Sequence, residues 1–302
     1  MEHVQWADRG QQVQLGRSDN EVPALFAGAS RLGSVQLSGP SFSIWVQIRG
    51  SAWVEAKEGK FRLRRGDWVA LERESRPTIQ TDRDGLCLGL TLGVDVLKAL
   101  GQFADLGLYA GRGRLDLRES RALLHLWHQA ARRTEAGEGV AIQVLRPLLL
   151  HLASLQRDFA ARVAYCPGRS RSRKRQVFSR LQRARLYLEG NADRVVRIGE
   201  LAELTSFSSW YFSKTFQAVY GESPQAAAAR MRLERAADLL ETTSLMIGEI
   251  AAASGFDNCC SFARAFRARY GMSASGYRTE ASSTGSAKSP GGAGKAALRT
   301  GT

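Results

Sequence analysis

Histidine and cysteine are both scarce, at four each in 302 residues. None of the histidines (His3, His125, His128, His151) falls in the strand-like region 42–92, so a several-histidine metal site of the barrel type cannot be assembled there. His125 and His128 are spaced i, i+3 without a third ligand beside them and read as ordinary exposed or core residues. Cys87, Cys166, Cys259 and Cys260 contain no CxxC pair, and a disulfide between the last two would be strained, so neither disulfides nor zinc are expected. No catalytic constellation, metal set or cofactor motif stands out. Runs approaching ~18 apolar residues are missing, and the opening MEHVQWADRG carries charge where a signal peptide needs apolar residues. The expectation is a cytoplasmic chain without membrane contact. Acidic residues are outnumbered 29 to 43 by Lys and Arg, a net charge of +14, which admits nucleic acid, membranes or acidic partners. With 44% hydrophobic and 24% charged residues, the composition is that of a globular protein of about two domains.

The charge is uneven. Up to Cys166 there are 22 basic and 18 acidic residues; beyond it there are 21 and 11. The excess begins at PGRSRSRKRQ (Pro167 to Gln176), which reads as a basic linker over 167–177, either a solubilising hinge or a nucleic-acid contact. Residues 281–302 are rich in Gly, Ala, Ser and Thr without periodicity and read as a disordered tail. In the first domain, 1–166, the runs FSIWVQI, AWVEA, FRL, DWVAL and LCLGLTL predict strands of a small sandwich or barrel, with turns at Gly50, Glu58-Gly59 and Arg65-Gly66-Asp67. Leu123, Trp127 and Ala130, then Leu145, Leu148, Leu149, Leu152, Leu155 and Phe159, predict two apolar-faced helices, with Pro147 marking a helix start or kink. Trp45, Trp53, Phe61 and Trp68 suit a plain core better than a ligand pocket.

The second half repeats itself. Ile198, Gly199, Glu200, Ala202 and Phe207 recur 49 residues later as Ile247, Gly248, Glu249, Ala251 and Phe256. Phe212, Phe216, Ala218, Tyr220, Gly221 and Ser223 recur 50 later as Phe262, Phe266, Ala268, Tyr270, Gly271 and Ser273. Each copy, 198–220 and 247–270, has the pattern of a helix-turn-helix: a short apolar-faced helix, a turn, a cap at Ser208 or at Asp257 or Asn258, and a second helix. Residues 226–241 predict a long helix holding the copies at a fixed spacing. Two phase-matched copies in a basic half point to DNA, the second helix of each entering a major groove.

These residues resemble the AraC/XylS family of transcription regulators. The resemblance is close from Arg180 to Arg278, through RLERAADLLETT, IGEIAAASGF, FARAFRARYGMS and Tyr277-Arg278. It implies an all-α tandem helix-turn-helix domain over 178–280 behind a cupin-like β-barrel with following helices, an α+β two-domain chain. Upstream the match is one of texture; Gly66-Asp67 suits a barrel turn, but the histidine that often follows is missing. The resemblance places Trp210, Ser213 and Lys214 of the first copy, and Cys259, Cys260, Ala263 and Arg264 of the second, against base edges. Lys214 and Arg264 can donate to guanine, and Trp210 can meet a thymine methyl. Ser209, Gln217, Asn258, Arg267 and Arg269 are expected at phosphates. Cys259 and Cys260 depart from the polar residues common there, as small contacts or a redox-sensitive pair. The resemblance further implies promoter DNA, RNA polymerase and a small-molecule effector as partners, a homodimer, and an activator ahead of a repressor. A cupin-type enzyme fused to a DNA-binding module, or a non-specific nucleoid or RNA-binding protein, are the other readings.

Overall fold

The computed structural model describes residues 4–16, 24–104, 107–133 and 142–286. The first part is built from strands β1 (Val4–Ala7), β2 (Gln12–Leu15), β3 (Leu25–Ser30), β4 (Ser34–Leu37), β5 (Phe42–Arg49), β6 (Ser51–Ala56), β7 (Gly59–Arg64), β8 (Asp67–Leu71), β9 (Thr78–Thr81) and β10 (Leu86–Leu92). Helix α1 (Val94–Ala104), strand β11 (Gly111–Arg114), helices α2 (Leu117–Arg133), α3 (Ile142–Leu155) and α4 (Arg157–Arg162), and a 3-10 turn at Val163–Tyr165 follow. The strands form two sheets, ordered β1-β3-β10-β5-β8-β11 and β2-β4-β9-β6-β7. The expected barrel is therefore not closed: the architecture is a pair of sheets with free edges.

Alternation along β5 explains the layering. Trp45, with Val69 and Leu71 of β8, faces Val35, Leu37, Val54, Phe61 and Leu63 of the smaller sheet. Ile44 and Val46 face the opposite way, onto Leu123, Trp127, Leu145 and Leu148 of α2 and α3. The larger sheet is thus buried on both faces, which is why β5 and β10 read as nearly continuous apolar runs. Trp45 is fully buried and lies opposite Gly89 of β10, where an added Cβ would come within 2.3 Å of its ring. Gly89 is the seat that lets so large a ring fill the space between the sheets. Trp127 packs edge-on against Phe26 and donates its indole N–H to the Gly89 carbonyl at 3.1 Å. Each large apolar side chain buried in this way contributes roughly 1.5–3 kcal/mol. Pro147 lies within α3, not at its start.

The second part is helical: α5 (Arg171–Gly190), α6 (Ile198–Thr205), α7 (Ser209–Tyr220), α8 (Pro224–Thr242), α9 (Ile247–Ala253), α10 (Cys259–Tyr270) and α11 (Ala274–Ser286). The segment expected to be a basic linker is helical from Arg171, because the Ser170 hydroxyl accepts the Arg173 N–H and starts α5 there. Of the expected tail, 281–286 continue α11 and 287–302 lie outside the described residues.

Contacts divide the chain into two compact units, one comprising the described residues of Met1–Asn191 and Val196–Ala228, the other those of Ala192–Val195 and Ala229–Thr302. Within the first unit, part-buried polar contacts tie the sheets to α5. Arg183 on α5 pairs with the wholly buried carboxylate of Glu58, in the β6–β7 turn, at 2.8 Å. Asn191 donates to the Glu58 carbonyl at 3.0 Å, and Ser179 donates to Glu72 at 2.6 Å. Around Gly59 and Gly190 the two backbones approach so closely that a Cβ on Gly59 would meet the Gly190 carbonyl oxygen, and one on Gly190 the Glu58 carbonyl oxygen, each at 2.3 Å.

Candidate nucleic-acid interface

Both helix-turn-helix copies are built by the same local interactions. Glu200 accepts the Arg197 N–H at 2.9 Å and Glu249 accepts the Met246 N–H at 2.7 Å, so the recurring Glu is a helix-start cap. Each short helix ends in a left-handed residue, Ser206 (φ 53°) or Gly255 (φ 70°), and the next N–H, of Phe207 or Phe256, returns to the carbonyl of Ala202 or Ala251 at 3.0 Å. The second helices start at matched caps: Ser208 accepts the Tyr211 N–H at 3.3 Å, and Asn258 accepts the Ser261 N–H at 2.8 Å. Of the two residues considered for the second cap, the structure uses Asn258.

The inner faces repeat as well. Phe212, Phe216 and Tyr220 stack in a ladder with centroids 5.6 and 4.5 Å apart; Phe262, Phe266 and Tyr270 stack at 5.4 and 4.5 Å. The duplication also extends one helix upstream. Arg180 on α5 lies over the Phe207 ring and donates to the Thr205 carbonyl, and Arg232 on α8 lies over Phe256 and donates to the Gly255 carbonyl. Partial burial holds the Arg232 pKa below its usual value, against the pull of Asp257. The sequence identities start too late to reveal this third helix of the unit, since the two arginines sit 52 apart rather than 49 or 50.

With the aromatic faces turned inward, each second helix presents one outer stripe. In α7, Trp210, Lys214 and Gln217 are exposed and Ser213 is half-buried; Ser209 is exposed in the first turn. In α10 the same offsets bring Cys260, Ala263, Arg264 and Arg267 to one exposed stripe, with Cys259 beside it. Trp210 is 70% exposed, and the Lys214 ammonium sits over its ring at 4.8 Å, so the two form one preassembled surface. Neither helix carries a carboxylate. The side chains of Arg264 and Arg267 have no hydrogen-bond or ion-pair partner among the described residues. Two of the expected phosphate contacts are already engaged: the Asn258 side-chain Oδ1 accepts the cap bond, and Arg269 lies 3.8 Å from Glu234 and over the Tyr270 ring.

Among the described residues no three metal-binding side chains come together; His125 and His128 are exposed, and His3 lies outside the described residues. Burial pushes the Cys87 and Cys166 thiols up to about 12 and about 11. A small apolar cavity lies between the larger sheet and α2–α3, lined by Ile44, Leu88, Leu90, Leu123, Trp127 and Leu148. No described helix is long and apolar enough to cross a membrane.

Duplicated helix-turn-helix units with carboxylate-free outer stripes define a DNA-binding protein. Residues 201–280 match the model of a helix-turn-helix domain family. The transcriptional activator AarP of Providencia stuartii is 32% identical over 111 residues, 36% of this chain and 82% of that protein. The transcriptional regulator Rv1931c of Mycobacterium tuberculosis is 37% identical over 89 residues, 30% of this chain and 34% of that one. Among solved structures, a probable AraC family regulator from Rhodopseudomonas palustris shares 35% identity over 34% of this chain and 96% of its own, with a TM-score of 0.32. The chain belongs to the AraC/XylS family and is a DNA-binding transcription regulator.

Proposed function

We propose that this regulator recognises specific promoter sequences, with α7 and α10 each placing its outer stripe in a major groove, and that it activates transcription from those sites. The observation that carries the reading is the equivalence of the two stripes, Trp210-Ser213-Lys214-Gln217 and Cys260-Ala263-Arg264-Arg267, on helices with matched caps and matched aromatic ladders. Within each stripe the roles divide by chemistry. Lys214 and Arg264 donate to guanine edges, Trp210 meets a thymine methyl, and Cys259, Cys260, Ser213 and Ala263 make close, small contacts. Ser209, Gln217 and Arg267 hold phosphates, and Asn258 and Arg269 add to this only through donors their present contacts leave over. Activation is supported by AarP, an activator by name. The sheet region and α2–α3 serve as the dimerising and effector-sensing part, with an effector admitted by widening the apolar cavity against α2–α3. The division proposed is a sensing and dimerising part over 1–166 and a DNA-binding part over 178–280, with 167–177 between them entering α5 from Arg171.

Selection of bound sequences from a random duplex pool, followed by titration, tests the reading. Arg264→Ala is expected to cost about 1–3 kcal/mol on the selected site and to relax preference at one position, whereas Arg267→Ala weakens all sequences evenly. Equal losses on selected and random DNA for both variants would refute the division of roles. A reporter behind a selected site separates activation from repression by the direction of change when the gene is deleted.

A further inference from the structure

The fold treats its four thiols in two ways. Cys87 and Cys166 are 0% and 2% exposed, out of reach of a dissolved reagent in the folded state. Cys259 and Cys260 are exposed in the first turn of α10. Successive residues on a helix point about 100° apart, so these two thiols do not face each other, and joining them would disrupt the turn that the Asn258 cap starts. The Cys259 sulfur lies against α9: a Cβ added to Gly248 would stand 3.5 Å from it. Cys260 instead shares the outer stripe with Arg264 and Arg267. With a rise of about 1.5 Å per residue, these arginines stand about 6 and about 10 Å along the face from Cys260. Neither guanidinium has a hydrogen-bond or ion-pair partner among the described residues, and the acid nearest in sequence is Asp257, before the cap. The matching stripe of α7 has Trp210 in place of Cys260, so the first copy lacks this nucleophile.

A nucleophile followed by two cations on one face suits a small anionic partner. A chain of three residues reaches about 10 Å, so a tripeptide tethered to the Cys260 sulfur can lay its carboxylates against both guanidiniums. We propose that Cys260, Arg264 and Arg267 form a covalent modification site for a low-molecular-weight disulfide that bears carboxylates, of the glutathione disulfide type, and that the adduct switches off DNA binding by the second helix-turn-helix copy. In the step, the Cys260 thiol gives up its proton and its sulfur attacks one sulfur of the reagent. The reagent's S–S bond breaks as the new S–S bond forms, and the released half departs as a thiolate that takes up the proton. Cys260 is oxidised and that half is reduced, with no further co-reactant. The adduct brings carboxylates and bulk to the face that meets bases and phosphates, and it occupies both arginines. Because Cys259 does not face Cys260, it is poorly placed to expel the adduct, which persists until an external thiol reverses the exchange. The switch rests on the reading of α10 as a recognition helix; the chemistry at Cys260 does not.

The test exposes the full chain to glutathione disulfide or to uncharged hydroxyethyl disulfide and locates adducts by mass spectrometry of peptides. Glutathione is expected on Cys260 ahead of Cys259, with Cys87 and Cys166 unmodified. Two cations within about 10 Å favour approach of a doubly negative reagent by roughly tenfold at low salt. R264Q/R267Q should therefore react about tenfold more slowly than wild type with glutathione disulfide, and equally fast with hydroxyethyl disulfide. First attack at any other cysteine, a disulfide joining Cys259 to Cys260, or an unchanged rate for R264Q/R267Q would overturn the proposal. Binding is then followed by fluorescence anisotropy on the sequence that the reduced protein selects. Loss of one good base contact corresponds to roughly 5–150-fold, so the adduct should weaken binding by about 100-fold or more, with full recovery in dithiothreitol. C260S, whatever its starting affinity, should not change with glutathione disulfide, while C259S should respond as wild type does. An adduct on Cys260 that leaves affinity intact, or a loss that dithiothreitol does not reverse, would refute the switch. A reduced protein that prefers no sequence fails the recognition reading and the switch with it, while the adduct position and the rates still decide the chemistry at Cys260.

Discussion

Replacing Arg183 by Met should unfold the first unit far more readily than removal of an ordinary surface arginine. Glu58 is completely buried, and it is paired with the Arg183 Nε at 2.8 Å. The second carboxylate oxygen already lacks a hydrogen-bond partner among the described residues, so no neighbour takes over. Close approach of the Gly59 and Gly190 backbones leaves little space for water to enter. An exposed ion pair would contribute less than about 1 kcal/mol, but an uncompensated buried carboxylate costs about 3–5 kcal/mol. Urea unfolding followed by tryptophan emission reads this well, since Trp45, Trp68 and Trp127 all lie in the first unit's core. With a slope of roughly 1–3 kcal/mol per molar, the midpoint should fall by 1 M or more. Adding Glu58→Gln to Arg183→Met removes the stranded charge and should recover part of the loss. A deficit below about 1 kcal/mol for Arg183→Met, or a double variant no better than the single, would show that the pair is solvated and that α5 is held to the sheets by other contacts.

Burial pushes the Glu72 carboxyl above its usual value of 4.5, with the Ser179 hydrogen bond and the Arg183 charge pulling the other way. The folded state then binds this proton more tightly than the unfolded state, so its contribution is most favourable in acid and declines as pH rises from the unfolded value through the folded one. Glu72→Gln keeps an acceptor for Ser179 and should be more stable than wild type at neutral pH and equal to it in acid; a pH-independent difference would contradict this. Asn258→Ala removes the cap of α10 and should cost about 1 kcal/mol, with Asn258→Ser restoring most of it in thermal melts. Gly89→Ala drives a methyl into the Trp45 ring and should cost about 1–3 kcal/mol, a loss that Trp45→Phe partly relieves if the clash is its cause.

The recognition units were the most legible part of the chain because their determinants are local. Caps, the turn phenylalanines and the i, i+4 aromatic positions are all within a few residues of each other, and duplication doubled the signal. Strands β5, β6, β7, β8 and β10 were legible from their apolar runs. The short strands β1, β2, β4, β9 and β11, four residues each, were not, since β-pairing with distant segments, as of Val4 with Phe26, defines them. Arg171 to Gln176 looked like a linker because its composition is that of a solvated segment, and only the Ser170 cap and the packing of Val177, Phe178 and Leu181 make it the start of a helix. The outer stripes were likewise readable as positions. The Asn258 cap bond and the Arg269–Glu234 contact, which compete with phosphate binding, depend on side-chain geometry.

Periodicity, repetition and charge are properties of neighbours along the chain, and they were enough to establish a basic, duplicated helix-turn-helix protein, to which the resemblance of its motifs added the AraC/XylS family. Tertiary structure decided what depends on contacts between residues far apart in sequence. It left the sheets open, filled the space between them with Trp45 over Gly89, and buried the Glu58–Arg183 pair across 125 positions of sequence. It also gave cations of like chemistry different work: Arg183 neutralises Glu58, Arg180 closes the α6–α7 turn and Lys174 holds the Ala164 carbonyl. Each cation's role depends on which carbonyl, ring or carboxylate the fold brings beside it, and no pattern within α5 itself encodes that.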